Sequence, residues 1–134
     1  MAATLSDGVR KLIEGQNFAH LATLMPDGSP QVTAVWIDLD GTDILVNTAE
    51  GRQKPRNLRA DPRVAISIVD QANPYSAAFI RGRVVEITHD GADGHIDKMA
   101  KKYLGQERYQ MRAPGEQRLI VRIRPEHVST MGVS

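Results

Sequence analysis

From residue 18 onward the chain is built of short apolar runs separated by turn residues, and this rhythm leaves few folds open to it. The runs are "FAHLATL", "QVTAVWIDL", "DILVNT", "RVAISIVD", "AAFIRGRVVEIT" and "RLIVRIRPEHV". Each is of strand length, and the last alternates cleanly between apolar and polar positions, as a half-buried strand requires. The connectors "MPDGSP" and "DLDGTD" carry the Asp-Gly chemistry of tight turns. Residues 18–24 and 31–39 are therefore predicted to pair antiparallel, and 43–48 to extend the meander. "QANPY" reads as a break in regular structure, because its Asn-Pro pair disfavours it. Aromatic residues make up only 4% of the chain, so the core must rest on Val, Ile, Leu and Ala, a set that favours strands.

Two amphipathic helices flank this pattern. Ser6 is a capping residue followed by Val9, Leu12 and Ile13 at helical spacing, which predicts a helix to about Gln16, a lid on the sheet. Between Gly91 and Gly105, residues Ile96, Met99, Ala100, Tyr103 and Leu104 share one face, with Lys98, Lys101 and Lys102 mostly off it. A third, shorter helix is expected to begin at Pro55, since proline suits a first helical position. Six strands and three short helices in 134 residues predict one mainly β domain spanning 1–134, a closed or partly closed antiparallel barrel.

Several chemistries find no support. There is no cysteine, so disulfides and thiol catalysis are excluded. His20, His89, His95 and His127 lack metal-ligand spacing, and no metal is expected. The serines form no nucleophile elbow, and the glycines form no dinucleotide fingerprint. Asp38 and Asp40 read as loop formers, and Arg63, Arg81 and Arg83 as charges that protect strand edges. Seventeen basic against sixteen acidic residues argue against bulk binding to nucleic acid or membrane. Without a signal peptide or an apolar span, a cytoplasmic location is expected.

One segment departs from this ordinary background. "NTAEGRQKPRNLRADPRV" gathers basic residues behind Gly51, with Arg52 and Lys54 at the predicted start of a helix. A glycine turn, two cations two residues apart and a helix N-terminus together suit an anion, and Thr48 adds a hydroxyl. A solvated turn whose charges serve solubility is the competing reading. Asn57 and Leu58 suit either, as a polar brace and a core anchor. Trp36, the only tryptophan, reads as a core or interface residue or as a pocket wall.

The stretches "DGSPQVTAVWIDLDG", "ILVNTAEGRQKPRNLRADPRVAISI", "NPYSAAFIRGRVVEI" and "KKYLG" resemble the pyridoxamine 5-phosphate oxidase-like split β-barrels, in particular the branch that binds the deazaflavin coenzyme F420. The resemblance runs from about Leu12 to Val128. It implies a homodimer of six-stranded split barrels with a cofactor at each subunit interface. It also implies that Arg52 and Lys54 contact the cofactor phosphate, with Thr48 and Asn57 beside them. The ring system would lie along Gln31, Val32, Thr33, Ala34 and Val35, bonded by main-chain groups, with Trp36 flanking the substrate. Pyridoxamine oxidases proper are longer and carry C-terminal tryptophan and arginine residues, whereas this sequence ends with "RIRPEHVSTMGVS", so their activity is not expected. The expected activity is hydride transfer between reduced F420 and a small organic acceptor, with no catalytic side chain assigned. An FMN-dependent oxidoreductase and a non-catalytic F420 carrier are the alternatives.

Overall fold

The computed structural model describes residues 2–133. Its elements run α1 (Asp7–Glu14), β1 (Ala19–Leu24), β2 (Pro30–Val35), β3 (Asp38–Asp40), β4 (Asp43–Ala49), α2 (Gln53–Ala60), β5 (Arg63–Asp70), β6 (Asn73–Thr88), α3 (Ala92–Leu104) and β7 (Arg118–Met131). The strands form one antiparallel sheet in the order β2-β1-β5-β6-β7-β4-β3. The mainly β class and the β1–β2 hairpin are as expected, with Ala19 opposite Val35 and Leu24 opposite Pro30.

Seven strands stand where six were expected, and the reason lies at Ile37. The outermost strands β2 and β3 are joined only by Trp36 and Ile37, so one segment supplies both edges and the sheet must curl back on itself. Alternation continues through this joint: Val35 and Ile37 are buried in the core and Leu39 packs against it. What changes is the pairing partner, from β1 to β4. At Ile37 the ladder is replaced by side chains of α3. Its N–H donates to the Tyr103 hydroxyl at 3.1 Å, and its carbonyl accepts from Lys102 Nζ at 2.7 Å. The barrel is split here, and its open backbone groups are satisfied from the helix.

Lys102 therefore does not lie on the polar side of α3. Its ammonium also donates to the Ile13 carbonyl at the end of α1 at 2.7 Å, and burial pulls its pKa down to about 8. Other expectations are corrected too. β6 begins at Asn73, so the break shrinks to Gln71 and Ala72, and Pro74 is accommodated in the strand's first turn-proximal residues. Arg63, Arg81 and Arg83 sit on β5 and β6, which are interior strands, so no sheet edge needs them. α2 starts at Gln53, which puts Pro55 at its third position. Asp38 is buried rather than a loop former.

The barrel is filled by Leu21, Ile37, Ile44, Val46, Ile68, Ile80, Val121 and Ile123, with Val9, Leu12 and Ile13 of α1 completing the same core. Such aliphatic side chains each contribute roughly 1.5 to 3 kcal/mol on burial. Gly82, where β6 shifts register against β7, lies so close to that strand that a Cβ would collide with the Arg124 carbonyl. The absence of a side chain lets the two strands bend together there.

Candidate functional site

The basic segment folds against the joint between β2 and β3. Glu50 and Gly51 form the turn after β4, where Gly51 takes a φ of 86°. Arg52 is the N-cap residue of α2, and no side chain caps the helix. The first N–H groups of α2 thus keep no side-chain acceptor, and Pro55 contributes none. Lys54, in the first turn, faces a cleft of about 240 Å³ lined also by Arg52, Arg118, Trp36, Phe18 and Tyr109.

The cleft has an aromatic wall and a cationic end. Tyr103 is stacked between Trp36, at 5.3 Å and 5° between planes, and Phe18, at 5.6 Å. Tyr109 meets Trp36 edge-on, and the Arg118 guanidinium lies 5.2 Å from its ring centre. Ala34, Val35, Ile96 and Met111 supply the remaining apolar surface. At the cationic end, among the described residues, Glu116 is the one carboxylate ion-paired with the cations, and it stands outside the residues that line the cleft. It bonds Arg118 and lies 3.8 Å from Arg52. Among the described residues Lys54 has no carboxylate within 4.0 Å; burial lowers its pKa, helped by repulsion from Arg52 and Arg118. A half-buried cation crowded by two others is a site that an anion would relieve.

Behind the cationic end a buried relay orients Arg118, whose side chain is only 3% exposed. Its Nε–H donates to Asn47 Oδ1 at 2.8 Å, so the Asn47 amide must turn its Nδ2 the other way, where it donates to the Ala92 carbonyl and faces His95 Nδ1 at 3.1 Å. The lone pair of Nδ1 receives that bond, which leaves Nε2–H to donate to Asp38 at 3.1 Å. Burial works to raise the Asp38 pKa, but bonds from His95, the Leu39 N–H and Lys98 outweigh it and hold it at about 2. One fixed donor, the guanidinium, sets the direction of every bond in the chain.

Of the residues expected in the site, Ala34, Val35, Trp36, Arg52 and Lys54 line the cleft. The side chains of the others are elsewhere. Thr48 is on the opposite face of β4 from Asn47, sharing parity with the core residues Ile44 and Val46, and its buried hydroxyl has no partner. Thr33 likewise has an unpartnered buried hydroxyl. Asn57 is a brace: its Nδ2 donates to Thr23 at 3.0 Å and to Gln31 at 3.3 Å, tying α2 to the hairpin. Val32 is 63% exposed on the outer face of the sheet, beside a second hollow of about 530 Å³ that Phe79 and His127 also line. Gln31 to Val35 nevertheless belong to an edge strand, so alternate main-chain groups of β2 point away from β1 and are free to bond a ligand.

Sequence reading missed Asn47, Arg118, Tyr109, Phe18 and Glu116. Asn47 is one position from the expected Thr48, and only the side of β4 covered by α3 separates them. Nothing in "RLIVRIR" distinguishes Arg118 from Arg122 or Arg124, which pair with Asp43. No helix among the described residues is long and apolar enough to cross a membrane, and no group of acidic and histidine residues among them is arranged to hold a metal.

The family model for pyridoxamine 5'-phosphate oxidase matches residues 5–132. Among solved structures, one named F420 reductase is 35% identical, covering 93% of this chain and 98% of its own, with a TM-score of 0.81. A conserved hypothetical protein of Mycobacterium tuberculosis, 23% identical, covers 97% of this chain and 86% of its own at a TM-score of 0.73. General Stress Protein 26 of Bacillus anthracis, 16% identical, covers 92% and 91% at 0.67. The last two share the fold.

Proposed function

The chain belongs to the pyridoxamine 5'-phosphate oxidase family, and from that premise we propose that it is an oxidoreductase that holds the deazaflavin F420 in the cleft beside α2 and uses it to reduce a small organic acceptor. The observation that carries this reading is Lys54: a cation without a carboxylate partner among the described residues, beside Arg52 and Arg118, at the uncapped start of a helix and at the end of an aromatic-walled cleft. A planar ring with a phosphate on its tail matches both ends. The similarity to a structure named F420 reductase favours the deazaflavin over FMN.

Arg52 and Lys54 would hold the phosphate, and the free edge of β2 from Gln31 to Val35 would bond the ring. When bound, the deazaflavin supplies a hydride, two electrons and a proton in one transfer. The protein's part is positional. Trp36 and Tyr109 form the wall that shields the reacting face from water, and Phe18 extends it through Tyr103. Asn47, His95 and Asp38 keep Arg118 in place behind the phosphate. Trp36, on the cleft side of the joint, would contact the acceptor.

The outer face of the sheet supports a homodimer. Val32 and Phe79 are exposed apolar side chains across β2 and β6, flanking a hollow lined by Ala22, Ala65 and Val128. A second copy would cover them and enclose the neighbouring cleft. Titration of the purified protein with F420 and with FMN tests the cofactor assignment. Tighter binding of F420, and oxidation of bound reduced F420 by members of an acceptor panel, are expected. FMN bound at least as tightly would overturn the deazaflavin assignment, and no turnover with any acceptor would favour a carrier.

A further inference from the structure

The strap between α3 and β7, residues 105–117, supplies two side chains of the cleft, Tyr109 and Met111, and its middle has little to hold it in place. Among the described residues, no backbone group of positions 107–112 bonds another backbone group. Five of these six residues are exposed, and only Tyr109 is half-buried. A stretch with neither a ladder nor a core of its own takes its position from side-chain bonds to its neighbours. The neighbour here is α3. Asp97 Oδ1 accepts the Tyr109 N–H at 2.9 Å and Arg112 Nη2 at 2.7 Å, so one oxygen grips the chain on both sides of Met111. Arg112 Nη1 also donates to Asp93 at 2.9 Å. Asp93 and Asp97 are four positions apart and share a face of α3, which lets one planar guanidinium span both. Ile96, next to Asp97 in the helix, lines the cleft, which places this clasp beside it. A further pair, Lys101 with Glu107 at 3.3 Å, is largely exposed at both ends and holds little.

We propose that Arg112 is a positioning residue: by clasping the strap to Asp93 and Asp97 it closes the aromatic part of the cleft with Tyr109 and Met111. What this does to a ligand rests on the proposed cofactor site; the clasp itself does not. An isolated surface pair is worth little, but a guanidinium shared by two carboxylates, one of which also bonds the main chain, is a network. Without Arg112, the middle of the strap keeps the Asp97 bond to the Tyr109 N–H, the edge contact of Tyr109 with Trp36 at 6.1 Å and the Arg118 guanidinium over its ring. Release of Tyr109 uncovers that edge of Trp36, which then retains its stack on Tyr103. A bound ring loses its cover on the same side, while Arg52 and Lys54 at the phosphate end are untouched. Opening the strap thus speeds escape of the ligand without removing its anchors.

The test uses Trp36, the only tryptophan of the chain, as a reporter in the ligand-free protein. Acrylamide quenching of its emission should rise about twofold in Arg112→Ala, because a locally released segment exposes what it covered. Arg112→Lys, whose single ammonium cannot span both carboxylates, should fall between the wild type and Arg112→Ala. Asp97→Asn keeps an acceptor for the Tyr109 N–H and removes the charge, and it should raise quenching as well. Unchanged quenching in Arg112→Ala, or in Asp97→Asn should Arg112→Ala fail to fold, would overturn the proposal. Bound F420 should dissociate about fivefold faster from Arg112→Ala than from the wild type, the order expected for losing a partly exposed charged network. Lys54→Ala separates this inference from the site itself. If Lys54→Ala binds F420 as tightly as the wild type, the cofactor site is wrong and Trp36 alone decides on the clasp. If Lys54→Ala binds F420 weakly while Arg112→Ala releases it at the wild-type rate, the cofactor site stands and the closing role of Arg112 is wrong.

Discussion

Arg118 and Asn47 stand 71 positions apart in the chain and meet at 2.8 Å, the guanidinium donating to the amide oxygen. Because that donor cannot be reversed, it fixes the Asn47 amide, and the amide in turn fixes the acceptor face of His95. Asn47→Leu removes all three bonds of this side chain, to Arg118, the Ala92 carbonyl and His95, and leaves a buried guanidinium short of one acceptor. Urea denaturation at pH 7 should show a loss of about 2 to 4 kcal/mol, summing roughly 1 to 3 kcal/mol per unsatisfied group. The same variant should bind F420 more weakly. Unchanged stability would mean that the relay does not hold Arg118.

Lys54→Ala tests the phosphate assignment. A charge-assisted bond in a partly shielded cleft is worth roughly 1.5 to 3 kcal/mol, so F420 affinity should fall about ten- to a hundredfold. The melting temperature without ligand should hold or rise, because the side chain's own burial and its repulsion from Arg52 and Arg118 disfavour its charge. A variant that binds F420 as tightly as the wild type would show that the basic segment is only a solvated turn.

Asp38 should mark the acid limb of stability. Its pKa is about 2 in the folded protein against 3.8 as a free side chain, so the stabilisation is present above about pH 4 and is lost as the pH falls toward 2. The difference corresponds to roughly 2 kcal/mol. Wild type and Asp38→Asn should therefore differ at pH 5 and converge near pH 2 in thermal melts. Parallel curves would remove Asp38 as the cause.

Lys102 should act in the alkaline direction. Its folded pKa is about 8 against 10.5 when free, so between these values the unfolded chain binds the extra proton and stability rises with pH. Below pH 8 the folded protein bears the full cost of the buried charge, which its bonds to Ile13 and Ile37 offset. From pH 7 to 9.5 the wild type should gain roughly 1 to 2 kcal/mol relative to Lys102→Met. A flat difference across that window would contradict the shift.

The proposed dimer is tested at Phe79. Phe79→Glu places a charge on the outer face of β6, where 42% of the residue is exposed in the single chain. Sedimentation at micromolar concentration should give a dimer for the wild type and a monomer for the variant. A wild-type monomer that still binds F420 would sink the interface.

Local chemistry determined much of this molecule. The apolar runs marked the strands, Asp27 and Gly28 marked the β1–β2 turn, Ser6 marked the start of α1, and Gly91 and Gly105 bracketed α3, because each of these acts through neighbours within a few residues. The cluster of Arg52 and Lys54 behind Gly51 was visible for the same reason. Tertiary structure decided the rest. Whether Asn47 or Thr48 faced the cleft depended on which side of β4 received α3, and alternation alone assigns two faces without saying what covers them. Asn47, His95 and Arg118 come from β4, α3 and β7, and no spacing in the sequence announces that they touch. Ile37 shows the limit most plainly. Its apolar alternation with Val35 and Leu39 was legible, but the strand divides there because Tyr103 and Lys102, more than sixty positions away, take over the backbone hydrogen bonds that a neighbouring strand would otherwise supply.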